Sequence, residues 1–293
     1  MKSPLPRLAS IVAALLLASA AASCTAPSAL QLLAQARQLA ADLQVQFTRA
    51  TDAANRAVMA DTDDASAAFA REAGQATQAV QTDIDALTPV LRGLGYTEEG
   101  ALLQEFVARF AEYRDLDRRI LDLAVENTNL KAQRLSFGPA SEAADAYADA
   151  LASLASSGAT SDAWRIRALA AKAVASVREI QALQAPHIAD AGDAGMTRLE
   201  QRMAAAEAAA RAGLGTLAGV VPAADRARLR AATTALDQFM EANARIVALS
   251  RRNTNVRSLA LSLNEKGKIT GACDSRLQAL REALGRRELG GTR

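Results

Sequence analysis

The sequence predicts an all-α protein, two tandem up-down-up-down four-helix bundles behind an N-terminal export segment. Three observations carry that reading. Gly (16) and Pro (7) are scarce among 293 residues, and half of the chain is apolar with Ala dominant, a composition that favours long helices. Apolar residues recur at three- and four-residue spacing along most of the chain after residue 28. A shift of 126 residues lays one half of the chain on the other without a gap.

Residues 1–23 read as a signal segment. Lys2 and Arg7 precede the apolar run LASIVAALLLASAAA, which is short for a span of about 20 apolar residues. Ala21-Ala22-Ser23-Cys24 then resembles a bacterial lipobox, which makes Cys24 the expected lipidated first residue of the mature chain. Ala21 stands where Leu is usual, and cleavage after Ala22 by ordinary signal peptidase is the alternative. Thr25 in place of Asp gives no signal for inner-membrane retention. Acylation at Cys24 leaves Cys273 without an intrachain disulfide partner.

Breakers divide the remainder. Asp61-Thr62-Asp63-Asp64, Gly93-Leu94-Gly95, Ser156-Ser157-Gly158, Gly192 with Gly195, and the stretch Gly213 to Pro222 each interrupt a helical run. Thr160-Ser161-Asp162 reads as an N-cap. Within the runs the expected core stripes are Val80, Ile84, Leu87 and Leu91; then Leu169, Val174, Val177, Ile180 and Leu183, ending before Pro186; then Leu199, Met203, Ala206, Ala210 and Leu217. So much Ala allows close helix approach but buries little apolar area per residue, which predicts slender bundles of moderate stability.

The shift lays Asn127-Thr128-Asn129 on Asn253-Thr254-Asn255, Arg119-Ile120 on Arg245-Ile246, and Leu135-Ser136 on Leu261-Ser262. Earlier helices keep it more weakly, with Leu91 on Leu217 and Asp64 on Asp190. A duplication follows, with one four-helix bundle over 28–157 and a second over 160–286. Two readings compete for the Asn-Thr-Asn pair. A hairpin there gives matched runs of about 33, 29, 29 and 28 residues, which suits an antiparallel bundle, and turns Gly138-Pro139 into a kink inside the fourth helix. Alternatively the spacing Ile246, Leu249, Asn253, Val256 continues through the break, and Asn253 is a buried polar residue of one long helix.

A net charge of +2 supplies no drive toward nucleic acid, and one Trp, three Tyr and six Phe are too few for a base-stacking surface. Two Cys and one His argue against a zinc site. The nucleophile-elbow, phosphate-loop, zincin and Glu-x-x-His patterns do not occur, so neither an enzyme nor a cofactor is expected. His187, after Pro186, reads as a surface or capping residue, and Cys273 as a buried small apolar residue. The candidates for ligand contact are polar groups at repeated positions. Arg119 and Arg245 could clamp a carboxylate or lie along the surface. Asn127, Asn129, Asn253 and Asn255 share a pole with acidic turns. In the first unit the hairpin reading brings Asp61, Asp63 and Asp64 near Glu126, an oxygen-rich pole for which helix capping is the simpler account than Ca2+. In the second it sets Asp190 and Asp193 against Arg251 and Arg252.

Segment 239–284, with Phe239, the run Ile246-Val247-Ala248-Leu249-Ser250, a polar turn and a Leu277–Leu280 close, resembles the later half of the extracytoplasmic four-helix-bundle sensor domain of methyl-accepting chemotaxis proteins and sensor histidine kinases. Residues 110–154 resemble it less closely. The resemblance implies a ligand or partner sensor. The chain departs from that family in showing no second span, HAMP linker or signalling helix, and the family has no fixed ligand motif to carry over. The expected function is a non-enzymatic envelope lipoprotein facing the periplasm, membrane-bound through its lipid anchor only, that binds a small ligand or an envelope protein. A structural scaffold without a small ligand is the alternative.

Overall fold

A computed structural model describes residues 27–157 and 162–287. The export segment, Cys24, Thr160 and Ser161 lie outside the described residues. The described chain is helical, as the periodicity predicts. Helix α1 (Ala29–Met59) starts on a capping box between Ser28 and Gln31. Helix α2 (Asp63–Leu94) starts on the Thr62 side chain and ends where Gly95 takes a φ of 70°. Helix α3 (Thr97–Glu126) ends at Asn127. Helices α4 (Thr128–Leu135) and α5 (Ser141–Ser156) are one rod interrupted by a π-turn at Ser136–Ala140. The second half follows with α6 (Ala163–Ala189), α7 (Asp193–Val220) and α8 (Arg226–Arg252), then α9 (Thr254–Leu261), a π-turn at Ser262–Lys266, and α10 (Gly267–Arg286).

The duplication is visible in these boundaries. The fourth rod breaks into helix, π-turn and helix at positions 126 residues apart in the two halves. Gly138-Pro139 accounts for the first π-turn, since Pro lacks the amide of a regular helical bond. The second contains no proline and had no such signal. Near the start of the repeat the correspondence slips. Asp64 does not match Asp190: Asp63 and Asp193 open equivalent helices, and Asp190 belongs to the preceding loop.

Division at residues 157/160 is not the division of the core. Helices α1, α2 and α3 bury Leu43, Phe47, Val80, Leu87, Phe106 and Tyr113 against Cys273, Leu277, Leu280 and Leu284 of α10. Helices α6, α7 and α8 bury Val177, Ile180, Met203, Leu217, Phe239 and Ile246 against Tyr147, Leu151 and Leu154 of α5. Each half therefore completes its four-helix group with the fourth rod of the other. The reason is loop length. The α1–α2 and α6–α7 connections have three residues each, enough to reverse the chain. One residue, Asn127 or Asn253, separates α3 from α4 and α8 from α9, which is too short for a helical hairpin. The chain crosses into the other group instead.

The first group is built on rings. Phe47 meets Phe106, Phe110 and Tyr113 edge-on at centroid distances of 5.7, 6.1 and 5.2 Å. The second is richer in Ala, and Ala173 lies against Gly213 where α6 and α7 approach closely. Of the expected stripes, that of α2 is buried throughout. On α6 the stripe is rotated: Ile166, Ala170 and Ala173 are buried, while Leu169 and Val174 lie at the edge of the core. That helix also continues through Pro186 to Ala189, whereas the expected stripe ends before the proline.

The exchange has a direct test. A protease site placed between Ser157 and Asp162 should leave the two fragments associated, eluting as one particle with the helicity of the intact chain. Sequential bundles would separate on gel filtration after the cut.

Candidate functional site at the crossing of the two halves

The repeated Asn-Thr-Asn residues come from positions 126 apart and meet at the crossing. Asn127 (φ 49°) and Asn253 (φ 53°) take the left-handed conformation, and they are the non-Gly residues with positive φ among the described residues. Asn adopts this region more readily than other side chains, because it is short and polar. Each therefore ends a helix as the hairpin reading expects, although the chain does not fold back.

The next residues tie the halves reciprocally. The Thr128 amide donates to Thr254 Oγ1 and the Thr254 amide to Thr128 Oγ1, both at 3.1 Å. The Asn129 amide donates to Asn255 Oδ1 at 3.1 Å, and the Asn255 amide to Asn129 Oδ1 at 3.2 Å. First-turn amides of α4 and α9 lack partners in their own helices. Here two in each helix are capped by the other half. Asn255 thus caps α4, the helix of the other half, and not its own. Side-chain amides extend the tie: Asn129 Nδ2 donates to Asn253 Oδ1 at 2.8 Å and to the Ile188 carbonyl at 2.7 Å, and Asn253 Nδ2 donates to the Asp190 carbonyl at 2.9 Å. Asn255 Nδ2 donates to Asn127 Oδ1 at 2.9 Å. The symmetry fails at Asn127 Nδ2, which is buried without a partner among the described residues.

Charges around the crossing pair rather than pool. Asp63 lies 3.5 Å from Arg134 and 3.9 Å from Lys131, and Glu126 lies 2.9 Å from Arg252. Among the described residues no group of three or more His, Cys, Asp or Glu side chains could hold a metal ion. Arg119 and Arg245 are not brought to the crossing. Both are exposed, and among the described residues neither makes an ion pair. Arg245 lines an open groove of about 360 Å3 with Glu142, Gln238 and Glu241.

Sequence reasoning missed four buried polar sets. His187 is fully buried, not a surface residue. Its Nδ1 lies 2.8 Å from Ser250 Oγ and its Nε2 2.8 Å from Glu200 Oε1. Ser250 Oγ is also 2.8 Å from the His187 carbonyl, one of the acceptors that the end of α6 leaves open. Ser, His and Glu are the residue types of a hydrolytic triad, but Ser250 has no exposed surface for a substrate to reach. Arg251 holds Glu200 with two bonds of 2.6 and 2.9 Å, so the Glu200 carboxyl is held below its ordinary value, chiefly by Arg251, with burial opposing.

In the first group Lys266 Nζ lies 2.6 Å from Asp117, both within the core beside Tyr113. Burial pushes the Asp117 carboxyl up, against the pull of Lys266. At the repeat position of Asp117 the second group has Asn243, which accepts from Gln184 at 2.9 Å, while Ser136 donates to Gln184 at 2.7 Å. Asp117 and Asn243 sit in phase with Tyr113–Ile120 and Phe239–Ile246, so a polar residue inside an apolar stripe was the available signal. Cys273 is buried as expected, its thiol pushed up to about 12, first by burial and then by Asp274 and Glu112. At the far end of the first group Glu99, 1% exposed, receives two bonds of 2.6 and 2.9 Å from Arg287 and is held below its ordinary value by them.

Two outcomes follow. Asn253→Gly keeps the backbone conformation but removes two buried hydrogen bonds, and should cost about 1–3 kcal/mol in urea melts. Asn129→Ala and Asn255→Ala should each destabilise by about 1–2 kcal/mol, with a double variant less destabilised than their sum by at least about 0.5 kcal/mol. Additivity would mean that the two caps act separately.

The lowered carboxyls set a pH window. Both Glu99 and Glu200 fall below the ordinary value of 4.5, so each pair's contribution is complete above that value and is lost as pH falls through the lowered one. Glu99→Gln and Glu200→Gln should be less stable than the parent at pH 7 and converge with it toward acid pH. A gap that persists in acid would assign their role to packing. No protein-family model matches the chain, and no curated protein matches it.

Proposed function

We propose that the chain is a non-enzymatic extracytoplasmic lipoprotein, a helical module that engages a partner in the cell envelope. The observation that carries this reading is where the reactive side chains lie. Ser250, His187, Lys266, Asp117 and Cys273 are sealed in the cores and spent on contacts between helices. What faces solvent is helix surface and open grooves at helix seams. Such surfaces suit a macromolecular partner better than a small molecule, which binds in concave sites that bury most of its surface. The resemblance of 239–284 to sensor bundles supports a sensory role for that engagement.

The export reading is compatible with the fold. Cys24 stands four residues before Ser28, the cap of α1, so a lipid on Cys24 would hold the start of α1 close to a bilayer. No helix among the described residues is long and apolar enough to cross a membrane. A second reading, a structural scaffold without a small ligand, is favoured by the reciprocal crossing, which ties the halves into one unit.

After a high-salt wash, which strips electrostatic docking but not an acyl anchor, Cys24→Ala should move the protein from the detergent-extracted membrane fraction to the soluble periplasmic fraction. Membrane association of that variant that resists the wash would remove the lipoprotein assignment.

A further inference from the structure

The end of the second group farthest from the crossing is assembled from the starts of α6 and α8 and the ends of α5 and α7. Its floor is apolar and buried: Leu154, Ile166, Leu217, Val221 and Leu229 share one cluster. Its rim is different. Trp164, the single Trp of the chain, is 71% exposed there. Arg165, Arg226 and Arg230 are exposed and make no ion pair among the described residues. Arg167, also exposed, donates among the described residues to the Ala163 carbonyl alone. Against them stand Asp162 and Asp225, the second already bound to Arg228. Residues 158–161, which join α5 to α6, carry no charge. The chain as a whole is nearly neutral, so this surplus is local.

An exposed indole among unpaired guanidinium groups is the chemistry of a membrane–water interface. Indole prefers the headgroup layer, and arginines are drawn to anionic headgroups. We propose that this end of the molecule docks on an anionic phospholipid bilayer. The proposal rests on the partner-binding reading above and names the partner. It does not need acylation of Cys24, which precedes α1 in the sequence; the start of α1 packs beside the end of α10, at the opposite end of the molecule. With both in place the chain would hold one surface by its lipid and a second by this tip.

Trp164 makes the test direct, because all Trp emission comes from the tip. Residues 24–293 carrying Cys24→Ala, so that no acyl chain contributes, are titrated with vesicles of phosphatidylcholine alone and with vesicles containing phosphatidylglycerol. The expected result is co-sedimentation and a blue shift of Trp emission with the anionic vesicles only, both weakened by salt. Each arginine near such a surface is worth about fivefold in affinity, so Arg165→Glu, Arg226→Glu and Arg230→Glu together should lower binding by on the order of a hundredfold. Arg92→Glu, Arg281→Glu and Arg286→Glu, at the opposite end, should leave it within about twofold, the reach of screened charges at that distance. The proposal is overturned by absence of binding, by equal binding to neutral vesicles, or by sedimentation without a Trp shift. A larger loss from the second triple also overturns it. Because the acyl site is absent throughout, failure here is separable from failure of the lipoprotein assignment, which the Cys24→Ala fractionation reads after a high-salt wash.

Discussion

The reciprocal capping of Thr128 by Thr254 and of Asn129 by Asn255 is the contact on which the architecture depends. At this point two helices end and two begin, and a beginning helix has amides with no partner of its own. In each half those amides are met by the side chains of the other. Neither half can satisfy its fourth rod alone, and neither can complete its core without the rod it receives. Hydrogen bonding at the crossing and apolar burial in the cores therefore favour the same exchanged arrangement, the agreement between local and global preference that marks a well-specified fold.

The buried polar sets extend that logic into the cores. Lys266, carried on the exchanged rod, meets Asp117 of α3 in the first group. Ser136, carried on the other exchanged rod, meets Gln184 of α6, which meets Asn243 of α8, in the second. A slip of either rod would leave a buried charge or amide unpaired, which is costly in a medium that cannot replace water. Such contacts set register more than they add stability. Both donors lie in π-turns, where the local change of pitch aims them inward.

The two halves differ where they meet their loops. In the first, Ser66 donates to the carbonyls of Ala57 and Ala124 and closes the end of the group with one hydroxyl. In the second, His187, Ser250, Glu200 and Arg251 do the equivalent work with a longer chain of bonds. The repeated helical frame is common to both halves while the polar chemistry at the pole differs, and the Asn127 amide without a partner among the described residues lies on the simpler side.

Helix class, most helix ends and the repeat were legible in the residues, because they are local. Ala-rich periodicity, the breaks at Asp61-Thr62-Asp63-Asp64 and Gly93-Leu94-Gly95, and the 126-residue shift need only neighbours along the chain. The left-handed ends at Asn127 and Asn253 were legible for the same reason. Which rod fills which core was not. A stripe of Leu277, Leu280 and Leu284 is as suitable for one apolar groove as for another, since burial is non-directional. The pairing was settled by a connection of one residue, which cannot reverse a helix, and by caps between residues 126 apart. The buried roles of His187, Asp117 and Lys266 depend on partners from other helices. Only the tertiary structure could supply those, because a polar side chain tolerates burial according to what it meets there and not according to its own sequence neighbours.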